Sequence, residues 1–104
     1  MNKFTATRIM LVNPVRLSDF YFTKDAIQLA KDLIENGDYT DMGTLSVEQE
    51  GESAAEEMFD LTNNPSRQEE RMRLYGNHRS ISVGDIVGVN GKSFLCTAIG
   101  WETL

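Results

Sequence analysis

A chain of 104 residues with 40% hydrophobic and 25% charged side chains has the composition of one ordinary globular domain, 1–104, large enough to fold without a metal or disulfide staple. Its single cysteine, Cys96, excludes an internal disulfide, and no apolar run approaches the roughly 20 residues needed to cross a bilayer. The net charge of −6 argues against nucleic-acid binding by the surface as a whole, which needs clustered Lys and Arg.

Residues 4–12 are rich in β-branched and apolar types and stop at Asn13-Pro14, which predicts a strand followed by a loop. The same break interrupts the apolar stretch Ile9–Val12, so no secretory signal is read and a cytoplasmic location is expected. Phe20-Tyr21-Phe22 is an aromatic cluster expected to pack on the core. The first predicted helix is capped by Thr23, carries Asp25 in its first turn and ends at Gly37. Ala26, Leu29, Ala30, Leu33 and Ile34 give it one apolar stripe at i, i+3, i+4, i+7 and i+8. A second strand is expected over Tyr39–Val47, weakened at Gly43.

Ser53-Ala54-Ala55-Glu56 has the form of a capping box, opening a short helix that Asn63-Asn64-Pro65 ends. Ser66-Arg67-Gln68-Glu69 repeats that form for a further helix to about Tyr75, closed by Gly76. The remainder reads as β: Ile81–Val83, Ile86–Val89 and Phe94–Ile99, with Asn90-Gly91 supplying the positive φ values of a type I′ hairpin turn. That turn sets Val89 opposite Lys92, Val87 opposite Phe94, Asp85 opposite Cys96 and Ile86 opposite Leu95, which makes both faces of the ribbon apolar. The expected class is α+β, a small mixed sheet with a C-terminal hairpin packed against two to three helices.

Charge is unevenly distributed, with eleven acids against Lys31 alone over residues 25–60. Two segments attract a functional reading. Asn63 to Ser80 gathers Arg67, Arg71, Arg73, Tyr75, His78 and Arg79, where Arg forks and exposed amides suit an anion or an acidic partner. The plainer alternative is a solvated helix whose arginines pair with Glu69, Glu70 and the acidic middle. The acidic segment, with Asp32, Glu35, Asp38, Asp41, Glu48 and Glu50, can imitate a phosphate track toward a basic protein, or can simply confer solubility.

Gly84-Asp85 before a strand reads as a structural bend, Cys96 as a buried inert thiol, and His78 lacks companions at ligand spacing. No catalytic residue, metal or cofactor is expected. An enzyme would require Asp85, His78 and Ser80 or Ser82 to converge in a pocket.

The runs Ala55-Glu56-Glu57-Met58-Phe59-Asp60-Leu61-Thr62-Asn63-Asn64-Pro65, Arg79-Ser80-Ile81-Ser82-Val83-Gly84-Asp85-Ile86-Val87, Phe94-Leu95-Cys96 and Gly100-Trp101 resemble a pattern in small proteins of bacteriophages, plasmids and conjugative elements. There a helix ending in Thr-Asn leads into an Arg-Ser-x-Ser-Val-Gly-Asp-Val strand and a closing hairpin, similar to YodL-like domains. The resemblance covers 55–104, implies a mobile-element origin and carries over no activity. The expected role is an accessory protein that binds a host protein or protein–nucleic-acid complex, as an inhibitor of anti-CRISPR or anti-restriction type. Direct nucleic-acid binding through 67–79, with Tyr75 as a stacking ring, is the alternative. No membrane partner is expected.

Overall fold

The computed structural model describes residues 4–12, 19–76 and 78–104, with the Phe22 side chain left aside. The elements are β1 (Phe4–Leu11), α1 (Asp19–Phe22), α2 (Ala26–Glu35), β2 (Tyr39–Val47), α3 (Glu52–Asn63), a 3₁₀ turn (Pro65–Arg67), α4 (Gln68–Tyr75), β3 (Ile86–Val89), β4 (Lys92–Thr97) and β5 (Gly100–Thr103). The strands form one sheet in the order β2-β1-β3-β4-β5, and all four pairings are antiparallel rather than mixed. The α+β class stands.

The hairpin register follows from the turn. Asn90 and Gly91 adopt φ of 48° and 87°, and Val89 pairs with Lys92, Val87 with Phe94 and Ile86 with Leu95. Just before β3 begins, Asp85 stays opposite Cys96 of β4, the Cys96 amide donating to the Asp85 carbonyl. Because the ribbon is apolar on both sides, it needs cover on both sides. Val87, Val89 and Phe94 pack with Ala6 under Ala54, Ala55, Met58 and Leu61 of α3 and Tyr75 of α4. Ile86 and Leu95 pack with Leu11 under Ala30 and Leu33 of α2 and Phe20 of α1. The sheet is thus a central layer with β3 and β4 inside it, β2 at one edge and β5 at the other.

Several local expectations are corrected. Helix α2 starts at Ala26, and its cap is Asp25, whose Oδ1 accepts from the Gln28 amide at 3.0 Å; Thr23 instead accepts from the Asp25 amide. Ile34, fifth in its stripe, is exposed, because α2 turns only the Ala30–Leu33 side to the sheet. Neither capping box forms. Helix α3 starts at Glu52 behind Gly51, and Glu56 accepts from Trp101 Nε1 instead; the second start is set by Asn64, whose side chain accepts from the Ser66 amide.

Ile81–Val83 is irregular rather than a strand, and the run Phe94–Ile99 breaks at 98–99 into β4 and the unforeseen edge strand β5. In β2, Gly43 is the site of a bulge against β1: its φ is 103°, and its amide donates to Asp41 Oδ1. Of the aromatic cluster, Phe20 is buried and Tyr21 exposed. The Asn13-Pro14 break lies outside the described residues.

Two positions test this account. Asn90 both adopts a positive φ and holds the hairpin tip to β1, its Oδ1 accepting from the Thr5 amide at 2.9 Å and the Thr5 hydroxyl at 3.0 Å. Asn90→Gly should cost about 1 kcal/mol in urea unfolding from the lost bonds, and Asn90→Ala about 1 kcal/mol more from backbone strain. Equal losses for the two variants would remove the strain argument. At Gly84, with φ of 96°, a Cβ would lie 2.7 Å from the Phe20 ring. Gly84→Ala should therefore destabilise by about 2 kcal/mol or more.

Candidate functional site

The segment from Asn63 to Ser80 does not form one exposed basic surface. Thr62 and Asn63 end α3 by clipping the returning chain: the Ser80 hydroxyl donates to the Thr62 carbonyl at 2.6 Å, the Ile81 amide to Thr62 Oγ1 at 3.0 Å, and Asn63 Nδ2 to the Ile81 carbonyl at 3.0 Å. This return brings Arg79 to Asp85. Arg79 donates from Nη1 to Oδ2 at 2.6 Å and from Nη2 to Oδ1 at 2.7 Å, a bidentate pair. Asp85 has no exposed surface and also accepts from the Leu11 and Ser82 amides, each at 2.9 Å. A carboxylate so occupied is a structural anchor. The Ser80 hydroxyl is committed to Thr62, and His78 is exposed.

Arg67 lies at the centre of three carboxylates: Nη1 contacts Glu57 at 2.5 Å and Asp60 at 2.9 Å, and Nε contacts Glu70 at 3.0 Å. These hydrogen bonds, that of Glu57 first, hold its guanidinium pKa above the ordinary arginine value. Arg71 donates to the His78 carbonyl at 2.8 Å. Tyr75 is buried, with the guanidinium of Arg8 4.9 Å from its ring centroid, so it offers no face for a base to stack on. Of the six residues expected to form a basic contact surface, Arg73 and His78 are exposed; Asn77, next to His78, lies outside the described residues.

The acidic residues are divided as well. Asp32 and Glu35 project from α2 on one side of the sheet, while Asp38 accepts from Asn36 Nδ2 and Asp41 bonds within edge strand β2. Glu48 and Glu50 belong to the other side, in the turn that leads into α3. There they continue into exposed Glu52, Glu56 and Asp60 at i, i+4 and i+8, a stripe with successive members about 6 Å apart along the axis. These three acids are not among the acidic contact residues expected from the sequence, although their four-residue spacing signals that they share one side. On a different face of α3, toward β2, Leu45, Val47, Met58 and Leu61 line a groove of about 210 Å³ together with Glu48, Glu57, Glu70 and Arg67.

A second depression of about 330 Å³ lies between Tyr21, Phe59, Asn63, Val83 and the end of β4, with Cys96 in its wall. Burial, with minor help from Asp85 and Glu56, pushes the Cys96 thiol up to about 12, so it stays protonated at neutral pH. No group of three or more His, Cys, Asp and Glu among the described residues is placed to hold a metal ion. No helix among them is long and apolar enough to cross a membrane. Comparisons with protein-family models, with curated proteins and with solved structures yield no match.

The contrast between the two arginine centres is measurable. Asp85→Asn should cost about 2–3 kcal/mol, because it replaces the buried acceptor of the partly exposed Arg79 and of two backbone amides; a loss under about 1 kcal/mol, read from the urea midpoint, would contradict the anchor. Arg67→Gln should cost no more than about 1 kcal/mol, and less in high salt, which screens the carboxylates left behind. Cys96 should resist a thiol-specific reagent at pH 8 in the native protein and react at once in urea. Rapid native labelling would show a more accessible thiol.

Proposed function

We propose that this chain is an accessory protein of a bacteriophage or other mobile element that acts by binding a basic surface of a host nucleic-acid-handling protein, as an inhibitor. The observation that carries the reading is the sorting of charge by the fold. Arg8, Arg67, Arg71 and Arg79 are engaged inside or along the protein's own contacts, whereas Lys24, Lys31, Arg73 and Lys92 are the exposed Lys and Arg among the described residues. The surface offered to a partner is therefore more acidic than the net charge implies. Its densest part is the side formed by Glu48, Glu50 and the Glu52–Glu56–Asp60 stripe.

A regular carboxylate row on an exposed helix face suits a partner surface rich in Lys and Arg, and Glu48 carries the same charge to the rim of the groove against β2. The resemblance of 55–104 to small mobile-element proteins supplies the setting. The direct nucleic-acid reading has less to stand on, because Tyr75 is buried and Arg67 and Arg79 face carboxylates.

The test is capture of basic, nucleic-acid-binding proteins from a bacterial lysate by the immobilised chain. The expected capture is competed by heparin and weakened steeply by salt. Glu48→Lys with Glu52→Lys should abolish it, while Asp32→Lys with Glu35→Lys, on the opposite side of the sheet, should leave it intact. Equal effects of the two pairs, or capture indifferent to heparin, would count against the proposed face.

A further inference from the structure

We propose that Arg8, Arg71 and the Tyr75 hydroxyl form a binding site for one small divalent oxyanion of the phosphate or sulfate class. The fold buries several polar atoms without satisfying them. Among the described residues these are Arg8 Nε, Arg8 Nη1, Arg71 Nε and the Tyr75 hydroxyl, and all four belong to one cluster between β1, α4 and the returning chain. Each is an N–H or O–H donor, so what the cluster lacks is an acceptor.

The geometry places the donors together. Arg8 has no exposed surface; its Nη2 donates to the Arg79 carbonyl, and its guanidinium lies 4.9 Å from the Tyr75 ring centroid. Arg71, one turn before Tyr75 on α4, donates to the adjacent carbonyl, that of His78, at 2.8 Å. The two guanidinium groups are thus docked on successive carbonyls, with Arg8 Nε and Nη1 and Arg71 Nε left without an acceptor.

Charge points the same way. Arg8 lies within the field of two further guanidinium groups, Arg71 and Arg79, and of one carboxylate, Asp85, whose oxygens already accept from Arg79 and two backbone amides. Burial pulls the Arg8 guanidinium below its ordinary pKa, although Asp85 opposes the effect. Among the described residues, no carboxylate accepts a hydrogen bond from Arg8 or Arg71. A water molecule would supply acceptors without charge, while a dianion supplies both and matches a surplus of two guanidinium groups. Arg71 is half-buried and Arg8 fully buried, which fits a small free ion better than a phosphate held on a polymer.

The test is thermal unfolding of the full chain in inorganic phosphate, sulfate, acetate or chloride at matched ionic strength. Phosphate and sulfate should raise Tm saturably, well above acetate and chloride. Arg71→Gln should weaken the apparent phosphate affinity about tenfold or more, by loss of a charge-assisted donor, while Arg73→Gln should not change it. No advantage of phosphate over chloride overturns the site, as does an unchanged response in Arg71→Gln. If that variant does not fold, calorimetric titration of the unaltered protein with phosphate decides: saturable binding supports the site, and no heat of binding at two temperatures overturns it. A single-stranded oligonucleotide that stabilises as well as inorganic phosphate at equal phosphate concentration would overturn the assignment to a free ion.

Discussion

The structure depends on one buried carboxylate. Asp85 stands immediately before β3, the middle strand of the sheet, and gathers four hydrogen bonds from two stretches of chain: one from Leu11 at the end of β1, and three from Arg79 and Ser82 in the segment that returns to the sheet. An ionised carboxylate without exposed surface is tolerable only when its lone pairs are filled, and here they are. The geometry it enforces is directional in a way that apolar packing is not. It fixes where β1 stops, how the chain returns from α4, and the phase at which β3 enters between β1 and β4. Tyr39 adds to the same junction from β2, its hydroxyl donating to the Gly84 carbonyl at 2.6 Å, and Gly84 itself must be small because Phe20 packs against it.

Seen from this junction, the residues of the Arg-Ser-x-Ser-Val-Gly-Asp run have assigned physical tasks in this chain. Arg79 neutralises Asp85, Ser80 ties the segment to the end of α3, the Ser82 amide turns inward to Asp85, and Gly84 allows the bend. The Thr62-Asn63 pair at the end of α3 meets the same segment from the other side. A pattern that could have marked a binding or catalytic element is a folding clamp here. The distinction matters, because a clamp of this kind constrains sequence strongly without touching any partner.

What the sequence made legible was local. The Asn90-Gly91 turn fixes the hairpin register through two backbone angles, and the apolar stripe of α2 is a matter of periodicity, so both could be read in advance. The helix starts were misread because Ser53 and Ser66 satisfied a four-residue pattern, while the competing partners of those residues, Trp101 for Glu56 and Asn64 for the Ser66 amide, were settled by tertiary contacts or by a neighbouring side chain. The strand β5 was missed because its four residues include Gly100 and two polar side chains, and its pairing with β4 carries the information instead. The candidate site suffered from the same limit. Composition can count arginines between 63 and 80, but their partners Glu57, Asp60 and Asp85 lie several residues away in sequence and are united by the fold.

That pairing also determines the character of the surface. In a chain with fewer cations than acids, drawing arginines into internal contacts leaves the acids over-represented outside, and α3 presents them in a row because its buried face is made of Ala54, Ala55, Met58 and Leu61 at helical spacing. The same α3–α4 unit therefore performs two tasks with opposite electrostatics. Its inner side, with Arg8 and Arg71 near Tyr75, is short of negative charge; its outer side, from Glu48 to Asp60, has an excess. A cation on a partner and an anion in the interior would each relieve one half of this separation. Neither would disturb the Asp85 junction, since its hydrogen bonds are already complete.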